Sequence, residues 1–129
     1  MGEHKDSREA ASIDERGLRP PAAYSIRDDG TGVIKLEGEL DLAAAPELRR
    51  HFDEYQRPTL VLDFTRATFI DSAVLKELLR GRAELSERGV RLVLAGVPAP
   101  VRRLMDLTRT SELFEDAPDV DTALKRLNG

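Results

Sequence analysis

The sequence predicts an α/β fold, an open mixed β-sheet of four to five strands with about four helices, in the order β-β-α-β-α-β-α-(β)-α. Three observations carry that expectation. Two short stretches of alternating polarity flank a turn at Asp28-Asp29-Gly30, which reads as a hairpin. Two nearly unbroken apolar runs, residues 59–64 and 90–95, have the character of strands covered on both faces. The segments after each run repeat apolar residues at spacings of three and four, the period of a helix with one buried side.

Taken in order, Tyr24 and Ile26 make a short strand leading into the turn. A second strand, residues 32–38, comes next, with Ile34 and Leu36 on one face and Lys35 and Glu37 on the other. Leu42, Ala45, Leu48, Phe52 and Tyr55 form one helical stripe, with Pro46 in the first turn, where its missing N–H costs little. Pro58 closes the connection to the third strand, residues 59–64, and a loop then returns through Phe69-Ile70. A second helix starts near Asp71-Ser72, with Val74, Leu75, Leu78, Leu79, Ala83 and Leu85 inward. Lys76, Glu77, Arg80, Arg82, Glu84 and Glu87 are expected on its outer faces. Gly81 is a weak point there, costing about 1 kcal/mol relative to Ala, and Gly89 ends the helix. After the strand at 90–95 and a Gly96-Val97-Pro98 loop, Val101, Leu104, Met105 and Thr108 make a short helical stripe. Leu113-Phe114 is the candidate last strand, and Asp119 caps a final helix bearing Val120, Ala123, Leu124 and Leu127. The opening hairpin makes the sheet mixed, and the later βαβ units call for right-handed parallel crossovers.

The chain has 129 residues, enough for one ordinary domain. Residues 1–22 are polar and charged and end in Pro20-Pro21, so they are expected to be a disordered tail, with a transient helix at most near 9–16. The domain itself is expected over residues 23–129. A net charge of -4 without a clustered basic excess gives no sign of a nucleic-acid partner. The absence of cysteine excludes disulfides and thiolate metal sites. No apolar stretch approaches the roughly 20 residues of a membrane span, and the N-terminus carries no apolar signal region. These features fit a cytoplasmic protein that does not enter a membrane.

A search for catalytic sets returns little. The two histidines, His4 in the tail and His51 on the outer side of the first helix, have no catalytic neighbours in the sequence. No zinc-protease motif and no phosphate-cradling loop is present. Asp28-Asp29 and Asp63 loosely imitate the acidic set of a receiver domain phosphorylated on aspartate, but a strand succeeds the pair where a receiver has a helix. The chain is therefore read as a non-enzyme without a cofactor or metal of its own.

The informative segment is Val61-Leu-Asp-Phe-Thr-Arg-Ala-Thr-Phe-Ile-Asp-Ser72. It places Asp-Ser at the start of a helix, where unpaired backbone N–H groups and the positive end of the helix dipole converge. Asp and Ser dominate helix caps, so capping alone accounts for their presence. The two roles are compatible: Asp71 can cap while Ser72 faces outward. A phosphate on Ser72 would be tolerated by the fold at that point and resisted by a protein packed against it.

These residues carry a resemblance. Gly38-Glu-Leu-Asp41 before a helix, Val61-Leu-Asp63 on a strand and Phe69-Ile-Asp-Ser72 opening a helix look like successive signatures of STAS domains. Arg91-Leu-Val-Leu-Ala-Gly96, Val101-x-x-Leu104 and Glu112-Leu-Phe114 come after them in the same order, so the similarity spans residues 24–127. Within that family the chain resembles the anti-sigma factor antagonists. The resemblance implies binding to an anti-sigma factor that is also a serine kinase, with release of a sigma factor. It also implies phosphorylation at Ser72, reversal by a phosphatase, and ATP held by the kinase. Asp41, Asp71, Ser72, Ala73 and Lys76 are the implied partner-binding residues; a homodimer is left open. The chain departs from the family at one place. Where Asp-Ser-Ser/Thr-Gly is usual, it reads Asp71-Ser72-Ala73-Val74. A Val74 side chain pointing outward would narrow partner choice or block a kinase, and that departure keeps a second reading open, a STAS scaffold subunit that is never phosphorylated.

Overall fold

Alternation along the strands sorts the core into two layers. Ile34, Leu36, Leu60, Leu62, Leu92 and Leu94 fall on one face of the sheet, and Val33, Val61, Val93 and Ala95 on the other. In the computed structural model, which describes residues 20–129, these residues lie on a five-stranded sheet in the order β1-β2-β3-β4-β5. The strands are β1 (Ala22–Ile26), β2 (Gly32–Leu40), β3 (Thr59–Ile70), β4 (Arg91–Ala95) and β5 (Glu115–Ala117). β1 pairs antiparallel with β2, with Ala22 opposite Leu36 and Ile26 opposite Gly32. The β2–β3, β3–β4 and β4–β5 pairs are parallel. The mixed sheet is thus the one expected, with the hairpin at its edge.

Four α-helices are present among the described residues: α1 (Ala45–Glu54), α2 (Ser72–Glu87), α3 (Ala99–Leu107) and α4 (Val120–Asn128). Leu48 and Phe52 of α1, Val74, Leu75, Leu78 and Leu85 of α2, and Val101 and Met105 of α3 fill the larger layer. Ala123, with Val120, Leu124 and Leu127 beside it, covers the smaller one. Gly81 is where α1 and α2 meet. A Cβ there would run into the ring of Phe52, so the glycine that looked like a weak point is what allows the two helices to touch. Among the described residues no helix is long and apolar enough to cross a membrane.

The structure corrects several local expectations. β3 does not end at residue 64. It continues to Ile70 by pairing with β2 through two register shifts, between Lys35 and Glu37 and between Gly38 and Glu39. β4 stops where Ala95 meets Asp63, so this extension is a two-stranded ribbon wetted where other strands are covered. That explains its polar, loop-like sequence. The last strand is not Leu113-Phe114: Ser111–Leu113 is a 3-10 turn, and the strand begins at Glu115. The stripe of the first helix begins too early, since Leu42–Ala44 is a 3-10 turn and Leu42 is 70% exposed. Ala83 and Thr108 also face solvent. Glu77, expected outside, is buried between Arg80 and Arg49, with the Arg49 Nε–Glu77 Oε1 distance 3.5 Å. Ala22, assigned to the tail, is already in β1, and Glu37 N–H donates to the carbonyl of Pro21 before it. The expectations for His4 and the rest of the tail, including the transient helix, lie outside the described residues.

Candidate functional site

Parallel pairing brings the carboxyl ends of β2 and β3 together: Leu40 lies opposite Ile70, and Asp71 N–H donates to Leu40 O at 3.1 Å. The next residue on each strand is an aspartate, and each caps the helical turn after it. Asp41 Oδ1 accepts from Ala43 N–H at 3.0 Å at the start of the 3-10 turn, and Asp71 Oδ1 accepts from Val74 N–H at 3.0 Å at the start of α2. Both residues have extended backbones, φ -114° for Asp41 and -96° for Asp71, as cap residues do. Two helix starts therefore open side by side at one end of the sheet, the usual place for function in open α/β folds.

Ser72 is the first residue of α2 and is exposed. The cap bond is made by Asp71 and not by Ser72. Val74 is fully buried among core residues of the larger layer. The branched side chain that departs from the family pattern thus packs inward and does not stand over Ser72. Ala73 is half-buried, Asp71 is half-buried, Asp41 is exposed, and Lys76, one turn along α2, is exposed. All five residues singled out from the sequence belong to this one end of the molecule. Helix geometry puts Lys76 on the same face as Ser72, four residues on.

Sequence reasoning missed the exposed side chains around them. Phe69 is 43% exposed on the ribbon and pairs in register with exposed Glu39. Leu42 directly succeeds Asp41 and projects into solvent. Neither is visible as exposed in the sequence, because Leu42 falls on the helical stripe and Phe69 in a segment that reads as a loop without a buried or exposed pattern. Beneath them, Arg66 Nε reaches Glu37 Oε2 at 3.1 Å across the ribbon.

The receiver-like acidic set does not assemble. Asp28 and Asp29 sit in the β1–β2 turn, where Asp29 accepts from Thr31 N–H and from the Asn128 side-chain amide. Those bonds hold the Asp29 carboxyl below the usual carboxylate range, the Thr31 backbone bond most of all. Asp63 is buried and accepts from Thr65 N–H at 2.9 Å. It lies beyond the Gly32–Leu60 pair by three more residues of β3, about 10 Å up the sheet. No group of three or more metal-ligating side chains is present among the described residues.

His51 differs from its expected place on the outer side of the first helix. It is half-buried, 6.3 Å from Tyr24 between ring centroids, and lines a cleft of about 260 Å³ with Tyr24, Glu54, Tyr55, Gln56 and Arg57. Burial, and next the charge of Arg50, push its pKa below the ordinary value.

Comparison with known proteins bears on the family and on the fold. An anti-sigma F factor antagonist of Paenibacillus polymyxa is 29% identical over 102 residues, covering 76% of this chain and 85% of the relative. A solved anti-sigma factor antagonist from Mycobacterium paratuberculosis superposes with a TM-score of 0.69 at 28% identity, covering 84% of this chain and 93% of that one. The Bacillus cell fate determinant SpoIIAA in its phosphorylated form superposes with a TM-score of 0.63 at 25% identity, covering 82% and 98%. The family model for the STAS domain matches residues 25–123, from within β1 into α4, so this chain belongs to the STAS domain family.

Proposed function

We propose that this protein is an anti-sigma factor antagonist of the cytoplasm, a binding module that sequesters an anti-sigma factor with serine-kinase activity and is switched off by phosphorylation of Ser72. The observation that carries the reading is an exposed serine at the first position of α2 whose neighbours are already committed, Asp71 to the cap and Val74 to the core. Relatives that carry the antagonist name, and a phosphorylated structural relative, support it. The partner kinase supplies ATP, and a phosphatase restores the hydroxyl.

The chemistry derives from the position. A phosphate carries about two negative charges and three acceptor oxygens, and it gains from the unpaired N–H groups and dipole of a helix N-terminus. The fold therefore tolerates it. A partner lying on the same surface meets new charge beside Asp41 and Asp71 and must desolvate it, which opposes docking. One covalent event removes an interface and leaves the domain intact.

The test uses the full chain with purified anti-sigma factor and ATP. Mass spectrometry is expected to find one phosphate, on Ser72, and none on Ser72→Ala. Ser72→Asp is expected to weaken the complex at least about tenfold while shifting the unfolding free energy by less than about 0.5 kcal/mol, as surface substitutions do. Undiminished binding by Ser72→Asp would overturn the switch.

A further inference from the structure

Four large apolar side chains are substantially exposed among the described residues: Leu42 at 70%, Phe69 at 43%, Leu107 at 76% and Leu113 at 47%. Single exposed leucines are ordinary. The distribution is informative. Leu107 ends α3 and Leu113 precedes β5, which places both at the amino ends of the strands, away from Ser72. Leu42 and Phe69 lie at the carboxyl ends of β2 and β3, one beside Asp41 and the other three residues before Ser72.

We infer that Leu42 and Phe69 are the two apolar anchors of the Ser72 surface, received by an apolar pocket on the partner whose rim is cationic. This inference rests on the proposed function and deepens it by naming the residues that hold the partner and the chemistry they require.

The charges around the anchors specify the rim. Glu39, Asp41 and Asp71 cluster at these strand ends, with Lys76 one turn along α2, and Arg66 is paired with Glu37. A cationic rim complements that balance, speeds encounter and selects against acidic surfaces. The anchors supply the affinity. Buried aromatic and aliphatic side chains inside a ring of polar contacts carry most of the binding energy of protein interfaces. The 3-10 turn bearing Leu42 packs against α2, and Phe69 stands on a strand paired along its length with β2, so both are presented by ordered backbone and lose little freedom on docking.

The arrangement also explains why phosphorylation would release the partner even though its rim is cationic. Ser72 shares its end of the sheet with both anchors, so a phosphate there enters the part of the interface that excludes water. Its desolvation cost, added to its repulsion from Asp71 and Asp41 beside it, opposes the complex more than the cationic rim favours it.

Each anti-sigma factor of the source organism, produced pure, is titrated calorimetrically with the full wild-type chain, and the one that binds is carried forward. Leu42→Ala and Phe69→Ala are then each expected to weaken it at least about tenfold. Leu107→Ala and Leu113→Ala should bind like wild type. Glu39→Gln should slow association at low salt by a few-fold and leave dissociation nearly unchanged. Thermal melts of all variants check the fold, and Phe69→Leu provides a second variant should Phe69→Ala unfold; it should retain part of the affinity. Wild-type affinity in both Leu42→Ala and Phe69→Ala, with binding still lost in Ser72→Asp, overturns the anchors and leaves the switch standing. Weakening by the anchor variants with no effect of Ser72→Asp does the reverse. If no anti-sigma factor binds the wild type, both fall.

Discussion

The two ends of the parallel strands are built differently. At the amino ends, side chains close the structure. The Tyr55 hydroxyl accepts from Gly32 N–H at 3.0 Å and donates to the carbonyl of Thr59, joining the end of α1 to the first residues of β2 and β3. Arg88, after α2, donates to the carbonyls of Phe52 at 2.6 Å and Tyr55 at 3.2 Å at the end of α1. Asn128 at the end of α4 reaches Asp29 in the first turn. At the carboxyl ends of β2 and β3 the two aspartates cap the turns that follow, and Ser72, Leu42, Phe69 and Lys76 face solvent. Side chains that join separate elements gather at one end, and exposed side chains beside Ser72 at the other. A switch benefits from that separation, because a change at Ser72 meets no interaction on which folding depends.

The comparison breaks most visibly at Phe52. Its ring is 1% exposed and lies against Gly81. Phe52→Ala should cost about 3–5 kcal/mol, the range for deleting a buried aromatic, measured by urea unfolding. A loss as small as that of Ser72→Asp would show that the amino end is not where the stability resides.

Tyr55→Phe sharpens the same contrast with a single atom. The ring stays, and Gly32 N–H loses its acceptor in a buried place. Leaving such a donor unsatisfied costs about 1–3 kcal/mol, and the variant should lose that much in chemical denaturation while binding its partner as before. Burial pushes the Tyr55 hydroxyl up to about 12, so it stays protonated and its bond to Thr59 O persists across the working pH range. A normal stability in Tyr55→Phe would remove the phenol from the account of this end.

How much of this was legible in the sequence differs between the ends as well. The order of elements along the chain, the caps Asp71 and Asp119, and the position of Ser72 come from local signals, since a cap and a helix start are written within four residues. The ribbon at residues 65–70 was hidden because its pairing is with β2 alone, so Thr65, Arg66 and Thr68 could remain polar. β5, Glu-Asp-Ala, has no apolar signature and is a strand only because β4 offers it an edge. Glu77 looked like an outer residue and is buried because Arg49 of α1 and Arg80 of its own helix both reach it. Pairing across elements, not local propensity, decides each of these cases. The exposure of Leu42 is a matter of phase: a 3-10 turn precedes α1, and the stripe drawn through Leu48 and Phe52 does not extend back through it.

The smallest expected effect concerns His51, which lies between the ends on α1. Burial is the first cause of its lowered pKa and the Arg50 charge the second, opposed by Glu54 and by its bond to the Ala22 backbone. Tyr24 and Tyr55 are the other groups facing it across the cleft. The folded chain therefore takes up this proton less readily than the unfolded chain, whose value is near 6.5. Wherever the unfolded state binds more protons, stability rises with pH. The contribution of His51 is accordingly whole above about pH 6.5 and declines as pH falls from there toward its folded value, with no further change below it. Asp29, Glu115 and Asp119, whose pKa values are lowered by their hydrogen bonds, lose their contributions only in the more acidic carboxylate range. Melting temperatures between about pH 7.5 and about pH 5.5 should fall slightly for the wild-type chain and less for His51→Gln. An equal slope in both would place the acid sensitivity elsewhere.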